Sequence, residues 1–88
     1  MNKNDVVTVI AVSGEYVGKF DRIEDGVLYL DDPRMLIAGD QGVGFARGIC
    51  MTSVENPSTM AFQQYVYVTE TNEEFEKAYR QATSGIIL

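Results

Sequence analysis

The chain has 88 residues, of which 45% are hydrophobic, and its 13 acidic and 7 basic side chains give a formal charge of −6. This length and hydrophobic content fit one folded domain and exclude an intrinsically disordered chain, and no apolar run approaches the roughly 20 residues of a membrane helix. The acidic balance excludes a surface that is basic all over, so any site for a polyanion must come from local geometry.

The first three predicted elements are strands. Residues 6–12 are apolar on both alternating faces, which predicts a strand covered on both sides. Residues 15–24 predict a second strand that bends at Gly18, because a glycine inside a strand usually marks a bend or a close backbone approach. The Asp-Gly pair at residues 25–26 is the strongest short signal for a hairpin turn, and it predicts a third strand at residues 27–30.

The middle of the chain gives weaker signals. Residues 31–33 (Asp-Asp-Pro) interrupt the third strand, and because proline cannot donate a backbone hydrogen bond, it must lie at an edge or a bulge. The apolar residues 35–38 resume that strand, and the glycine-rich residues 39–44 predict a flexible loop. Residues 46–54 then predict a fourth strand and residues 60–69 a fifth.

A helix is predicted at about residues 72–83. Thr71 and Glu74 have the spacing of a capping box, which satisfies two backbone N–H groups at a helix start. Gly85 is the predicted C-cap, and residues 86–88 are apolar and are expected to be buried. The predicted apolar stripe of this helix consists of Phe75, Ala78, Tyr79 and Ala82.

The residue types argue against an enzyme. Without histidine, neither a Ser-His nor a Cys-His relay can be built, and zinc lacks its usual ligands. Cys50 is the single cysteine, which excludes an intrachain disulfide and predicts a small buried side chain. Asp31, Asp32 and Asp40 lack the spacing of a calcium loop, which favours solvated turns over a cation site. No cofactor is predicted, and without a secretory signal or a membrane span we expect a cytoplasmic protein.

Two stretches resemble the motifs of the Sm-like family, which includes the Sm, LSm and Hfq branches. Residues 18–32 resemble the first motif, in which Gly18, Phe20 and Glu24 occupy the glycine, apolar and acidic positions before an apolar quartet. Residues 45–48 (Phe-Ala-Arg-Gly) resemble the core of the second motif in the Sm and LSm branch. The resemblance covers roughly residues 6–54, and small divergent members of this family also occur in phages.

This resemblance implies a mainly β fold: a five-stranded, strongly bent, SH3-like open barrel. The barrel would span about residues 6–69 of a single domain at residues 1–88, and the C-terminal helix would replace the family's N-terminal one. Sm-like subunits pair the fourth strand of one copy with the fifth strand of the next, which implies a homo-oligomeric ring of about five to seven subunits. It also implies non-catalytic binding of single-stranded RNA, with single-stranded DNA as a second ligand, and a role in RNA processing or regulation.

The resemblance also implies the site. Arg47 would contact phosphate or base, and Gly48 would allow close approach of the backbone. Tyr29 would stack on a base, and the turn at residues 24–26 would shape the loop around the pore of the ring. The six implied RNA-binding residues are Glu24, Asp25, Gly26, Tyr29, Arg47 and Gly48.

The acidic composition keeps a second function open. An acidic surface suits a basic protein partner better than it suits a polyanion. The same barrel is therefore also expected to serve as a structural or protein-interaction module.

Overall fold

The computed structural model describes residues 1–46, 49–50, 52–55 and 57–84, which form an antiparallel β-sheet and a C-terminal helix. The predicted mainly β fold with a C-terminal helix is confirmed, but the sheet has six strands instead of five. Within these ranges, no helix has the length and apolar character that a membrane span needs. The elements are β1 Val6–Ala11, β2 Gly14–Glu24, β3 Val27–Gly39, β4 Gly42–Phe45, β5 Thr59–Phe62, β6 Tyr67–Glu70 and α1 Glu73–Thr83.

The strand order is β4-β3-β2-β1-β6, and β5 also pairs with β3. β4 pairs with residues 36–39 of β3 and β5 with residues 28–31, so both lie along the side of β3 that faces away from β2. Between them the chain leaves the sheet after Ala46, whose N–H donates to the Met35 carbonyl at 2.8 Å. It returns at Ser58, whose carbonyl accepts from the Asp32 N–H at 2.8 Å. The six strands therefore occupy five positions across the sheet, here called lines, because β4 and β5 share the position beside β3.

Three boundaries predicted in this half of the chain were wrong. Residues 39–44 form a hairpin instead of a flexible loop, in which residues 40–41 are the turn and residues 42–44 belong to β4, because pairing with β3 fixes the glycine backbone. The described part of residues 46–54 forms no strand, since the chain is out of the sheet there, and Cys50 is exposed instead of buried. Residues 60–69 contain two strands, because the chain crosses from β3 to β1 between Phe62 and Tyr67.

That crossing shows that the sheet is curled. Phe62 on β5 and Val68 on β6 belong to opposite edges, yet both pack on one core with Val7, Val9 and Leu28. The five steps from Phe62 to Tyr67 reach at most about 18 Å. Four strand spacings in a flat sheet would separate their lines by about 19 Å, so a flat sheet does not fit the connection.

The curl depends on a bend opposite Gly18. The pairing of β2 with β3 shifts register between Val17 and Lys19, where two residues of β3, Asp32 and Pro33, face the single Gly18. Asp32 has a φ of 48°, and Pro33 is buried at this bulge. The predicted bend at Gly18 and the predicted bulge at the proline are both confirmed.

The helix covers the other face of β1 and β2 and forms a second small core. Tyr79 is fully buried against Val6 and Val17, and its hydroxyl donates to the Asp32 carbonyl at 2.6 Å. Phe45 packs edge-on against the Tyr79 ring, with 6.0 Å between the ring centroids. The prediction that β1 is covered on both sides is therefore confirmed.

The helix runs from Glu73 to Thr83, and its cap and stripe differ from the prediction. Asn72 is the N-cap, and its side-chain oxygen accepts from the Phe75 N–H at 2.9 Å. Thr71 instead forms a hydroxyl–hydroxyl hydrogen bond with Thr8 at 2.9 Å, which joins the helix start to β1. Ala78 and Ala82 of the predicted stripe are exposed. The predicted C-cap Gly85 and the apolar residues 86–88 lie outside the described residues.

Substituting Gly18 tests the bend directly. A Cβ at this position would lie 2.6 Å from Leu30 Cγ and 2.9 Å from the Asp31 carbonyl oxygen, so Gly18→Ala should lower the free energy of unfolding by about 1–3 kcal/mol. In the control Gly44→Ala, the added Cβ meets no atom within 4 Å. Urea unfolding of both variants measures the difference, and equal stabilities would contradict the close approach.

Candidate nucleic-acid interface

The β2–β3 turn holds three of the six implied site residues. Glu24, Asp25 and Gly26 are all exposed, and Glu24 pairs with Val27 across the hairpin. Asp25 and Gly26 have φ values of 52° and 80°, which is the pattern of the predicted type I′ turn. The turn is therefore a tight, exposed tip at one end of the sheet.

Next to this tip, an arginine lies over the ring of Tyr29. Arg22 is the cross-strand partner of Tyr29, and its guanidinium carbon lies 3.9 Å from the centroid of that half-buried ring. Arg22 Nε donates to Glu24 Oε2 at 2.9 Å, and Nη1 contacts the Asp21 carboxylate. The turn thus brings Glu24 and Tyr29 together through Arg22, a residue that the sequence motifs did not single out.

The N-terminal residues complete this ionic cluster. Lys3 Nζ lies 2.5 Å from Asp21 Oδ1, and the Asn4 N–H donates to the Phe20 carbonyl at 2.7 Å, which ties residues 2–5 to β2. The hydrogen bond from Lys3 lowers the pKa of Asp21 below its ordinary value. The hydrogen bond to Glu24 and the charge of Asp21 raise the pKa of Arg22. Both shifts favour the charged forms of Asp21 and Arg22.

Ile23 is an apolar residue at the same tip. It is the cross-strand partner of Leu28, which is fully buried, yet Ile23 itself is 47% exposed. It therefore lies where the core opens to solvent. The alternation of β2 predicts this inward direction. The exposure of Ile23 follows from its position next to the turn, where the described residues cover only part of the side chain.

Arg47 and Gly48 lie outside the described residues, so their contacts with the turn stay predictions. The preceding Ala46 is hydrogen-bonded to Met35, which is seven residues from Leu28 along β3. The chain segment beside the turn is instead the end of β5, where Phe62 pairs with Leu28. Ala46 and the turn therefore lie at different levels of the sheet.

The tip has the chemistry of a binding surface, since it presents an arginine plane, an apolar side chain and carboxylates.

Comparisons with models of protein families, with curated proteins and with solved structures found no match. Among the described residues, no group of three or more Asp, Glu or Cys side chains is placed to hold a metal ion. Asp31 accepts a hydrogen bond from Thr59, and Asp32 pairs with Arg34 at 2.7 Å.

The two outer lines of the sheet form a second exposed feature. Within the described ranges, β6 pairs only with β1, and β4 and β5 pair only with β3. Val66 and Tyr67 at the start of β6 are 69% and 59% exposed, while Ile37 and Val43 of the β3–β4 hairpin are each 52% exposed. Both edges therefore combine unpaired backbone groups with exposed apolar side chains.

The titration of Asp21 tests the ionic cluster. Its folded-state pKa should lie below the unfolded value of about 3.9, so its contribution to stability is present above that pH and is lost as the pH falls through the folded pKa. Carbon-detected NMR of the carboxyl group measures this pKa. Lys3→Met should raise it, whereas the control Lys77→Met, which removes a helix pair with Glu73, should not. An Asp21 pKa at or above the ordinary value would contradict the cluster.

Proposed function

We propose that this protein is a non-catalytic, Sm-like ring-forming protein that binds single-stranded RNA, and single-stranded DNA as a second ligand, in RNA processing or regulation. The observation that carries the proposal is the curled antiparallel sheet with one exposed edge on each outer line. Unpaired strand edges are templates for pairing with another chain, so a folded protein that keeps two of them is suited to self-assembly.

The finer fold in this proposal is a bent SH3-like open barrel. The bend at Gly18, the four-residue connection from β5 to β6 and the five strand lines support it. The motif residues at positions 18–32 support the family assignment, because they form the bent strand, the tight turn and the next strand that the motif requires.

In the proposed ring, β6 of one copy adds to the outer edge of β4 or β5 of the next. Each of these strands is four residues long, so the edges match in length. Such a head-to-tail contact uses two different surfaces and closes into a ring when the rotation allows it, here with about five to seven copies. Burial of Val66, Tyr67 and Val43 would add apolar contact to the backbone hydrogen bonds.

Repetition of the subunit would create the RNA site. Arg47 from every copy supplies phosphate or base contacts, with Gly48 allowing close approach of the backbone. The turn at residues 24–26 borders this site, and Tyr29 contributes an aromatic ring. A circle of arginines then gives a locally positive region on a subunit whose overall charge is negative.

An acidic end of the molecule favours the second candidate, a module that binds a basic protein. Glu70, Glu73 and Glu74 are exposed where β6 meets the helix. Asp5 and Glu76 line the adjoining concavity, together with Arg80, which pairs with Glu76. Recovery of a basic protein in a pull-down that resists nuclease treatment, without binding of oligonucleotides, would favour this function over the first.

Fluorescence anisotropy with labelled U-rich and A-rich oligomers tests the RNA function. The wild type should bind at tens of micromolar or tighter, and the affinity should fall as salt rises. Arg47→Ala should weaken binding about tenfold or more through the loss of a charge-assisted contact. The control Arg80→Ala, which removes a helix arginine paired with Glu76, should bind like the wild type. Absence of salt-sensitive binding, or an unchanged Arg47→Ala, would refute the proposal.

A further inference from the structure

We infer that Arg22 is a base-stacking residue, and that it binds the flat face of a nucleobase instead of a phosphate. This inference rests on the proposed function, because it assigns a ligand group to one part of the proposed RNA surface. Three properties of Arg22 carry it: its contact with Tyr29, the occupation of its donors and the charge around it.

The contact with Tyr29 orients the guanidinium. The guanidinium carbon lies 3.9 Å from the ring centroid, which is the distance of a stacked cation–π contact. One face of the guanidinium is therefore against the Tyr29 ring. The side chain is still 48% exposed, and we take its exposed part to include the face turned away from Tyr29, where a second flat group would stack.

The donors of Arg22 are largely occupied within the protein. Arginine binds phosphate well because two parallel N–H groups form a fork. In Arg22, Nε is bound to Glu24 at 2.9 Å and Nη1 is bound to Asp21, so two of the three nitrogens already have carboxylate partners. Each pair of adjacent nitrogens that could grip a phosphate therefore includes one that is already occupied, whereas stacking needs only the plane of the group.

The surrounding charge also disfavours a phosphate. Lys3 and Arg22 are the two cations of this cluster, and its three anions are Asp21, Glu24 and Asp25 at the turn. The net charge is one negative, which repels a phosphate but not the uncharged ring of a base. Bases of single-stranded nucleic acids stack on aromatic rings and on arginine planes, and this geometry offers such a platform.

The platform is also held in place before binding. Contacts with Tyr29, Asp21 and Glu24 restrict the Arg22 side chain, so little rotamer freedom remains to be lost when a base stacks on it. Lysine at this position would keep the charge but would lose the flat group. This difference separates stacking from charge attraction.

The test compares three ligands and two variants with the wild type. Anisotropy measures binding of a U-rich oligomer, an A-rich oligomer and an abasic phosphodiester chain of the same length to the wild type, to Arg22→Lys and to Arg80→Lys. Arg80 is a matched control, since its side chain is 50% exposed and is also bound to a carboxylate, but it lies on the helix. Melting temperatures show that the variants fold.

Arg22→Lys should weaken binding of at least one base-containing oligomer about fivefold or more. Its affinity for the abasic chain and the salt dependence of its binding should match those of the wild type, and Arg80→Lys should change neither. Equal loss on the abasic chain, or a shallower salt dependence, would assign Arg22 to phosphate and overturn the inference. An unchanged Arg22→Lys would also overturn it while leaving RNA binding intact. No binding by the wild type would overturn this inference together with the proposed function.

Discussion

The close approach of Gly18 to Leu30 is the constraint on which the rest of the structure depends. Without a side chain at Gly18, β2 can lie against β3 at the point where β3 carries two residues opposite one. The resulting bend curls the sheet, so that Phe62 and Val68 on opposite edges share one core. The same bulge presents the Asp32 carbonyl to the Tyr79 hydroxyl and thereby anchors the helix.

Under the proposed function, the curl also accounts for how an acidic subunit could bind a polyanion. It places the β2–β3 turn at one end of the sheet, where Arg22 lies over Tyr29 on one face and Ile23 is exposed on the other, so the tip offers flat and apolar groups besides its charges. The phosphate-binding role is assigned to Arg47, which would act by repetition around the ring. In the proposed function Arg22 contacts bases alone, whereas Arg47 contacts phosphate or base, and salt dependence distinguishes the two residues.

The elements with local signals could be predicted from the sequence. The Asp25-Gly26 turn, the bend at Gly18 and the helix each follow from residues that favour one backbone conformation by themselves. β4 could not be predicted, because its glycines form a strand only through pairing with β3. The stack of Arg22 on Tyr29 was missed for a similar reason: it depends on the register of two strands across a bulge, which neither strand shows alone.

The central claim is that two exposed sheet edges pair between copies of the chain. Light scattering after size exclusion measures this directly, and the account predicts a mass of about five to seven times 9.8 kDa. Val66→Lys, just before β6, should lower that mass, whereas the same substitution in the control Val12→Lys, in the turn after β1, should not. A wild-type protein that stays at 9.8 kDa at every concentration would contradict the account, because the pore and the repeated arginines would not exist.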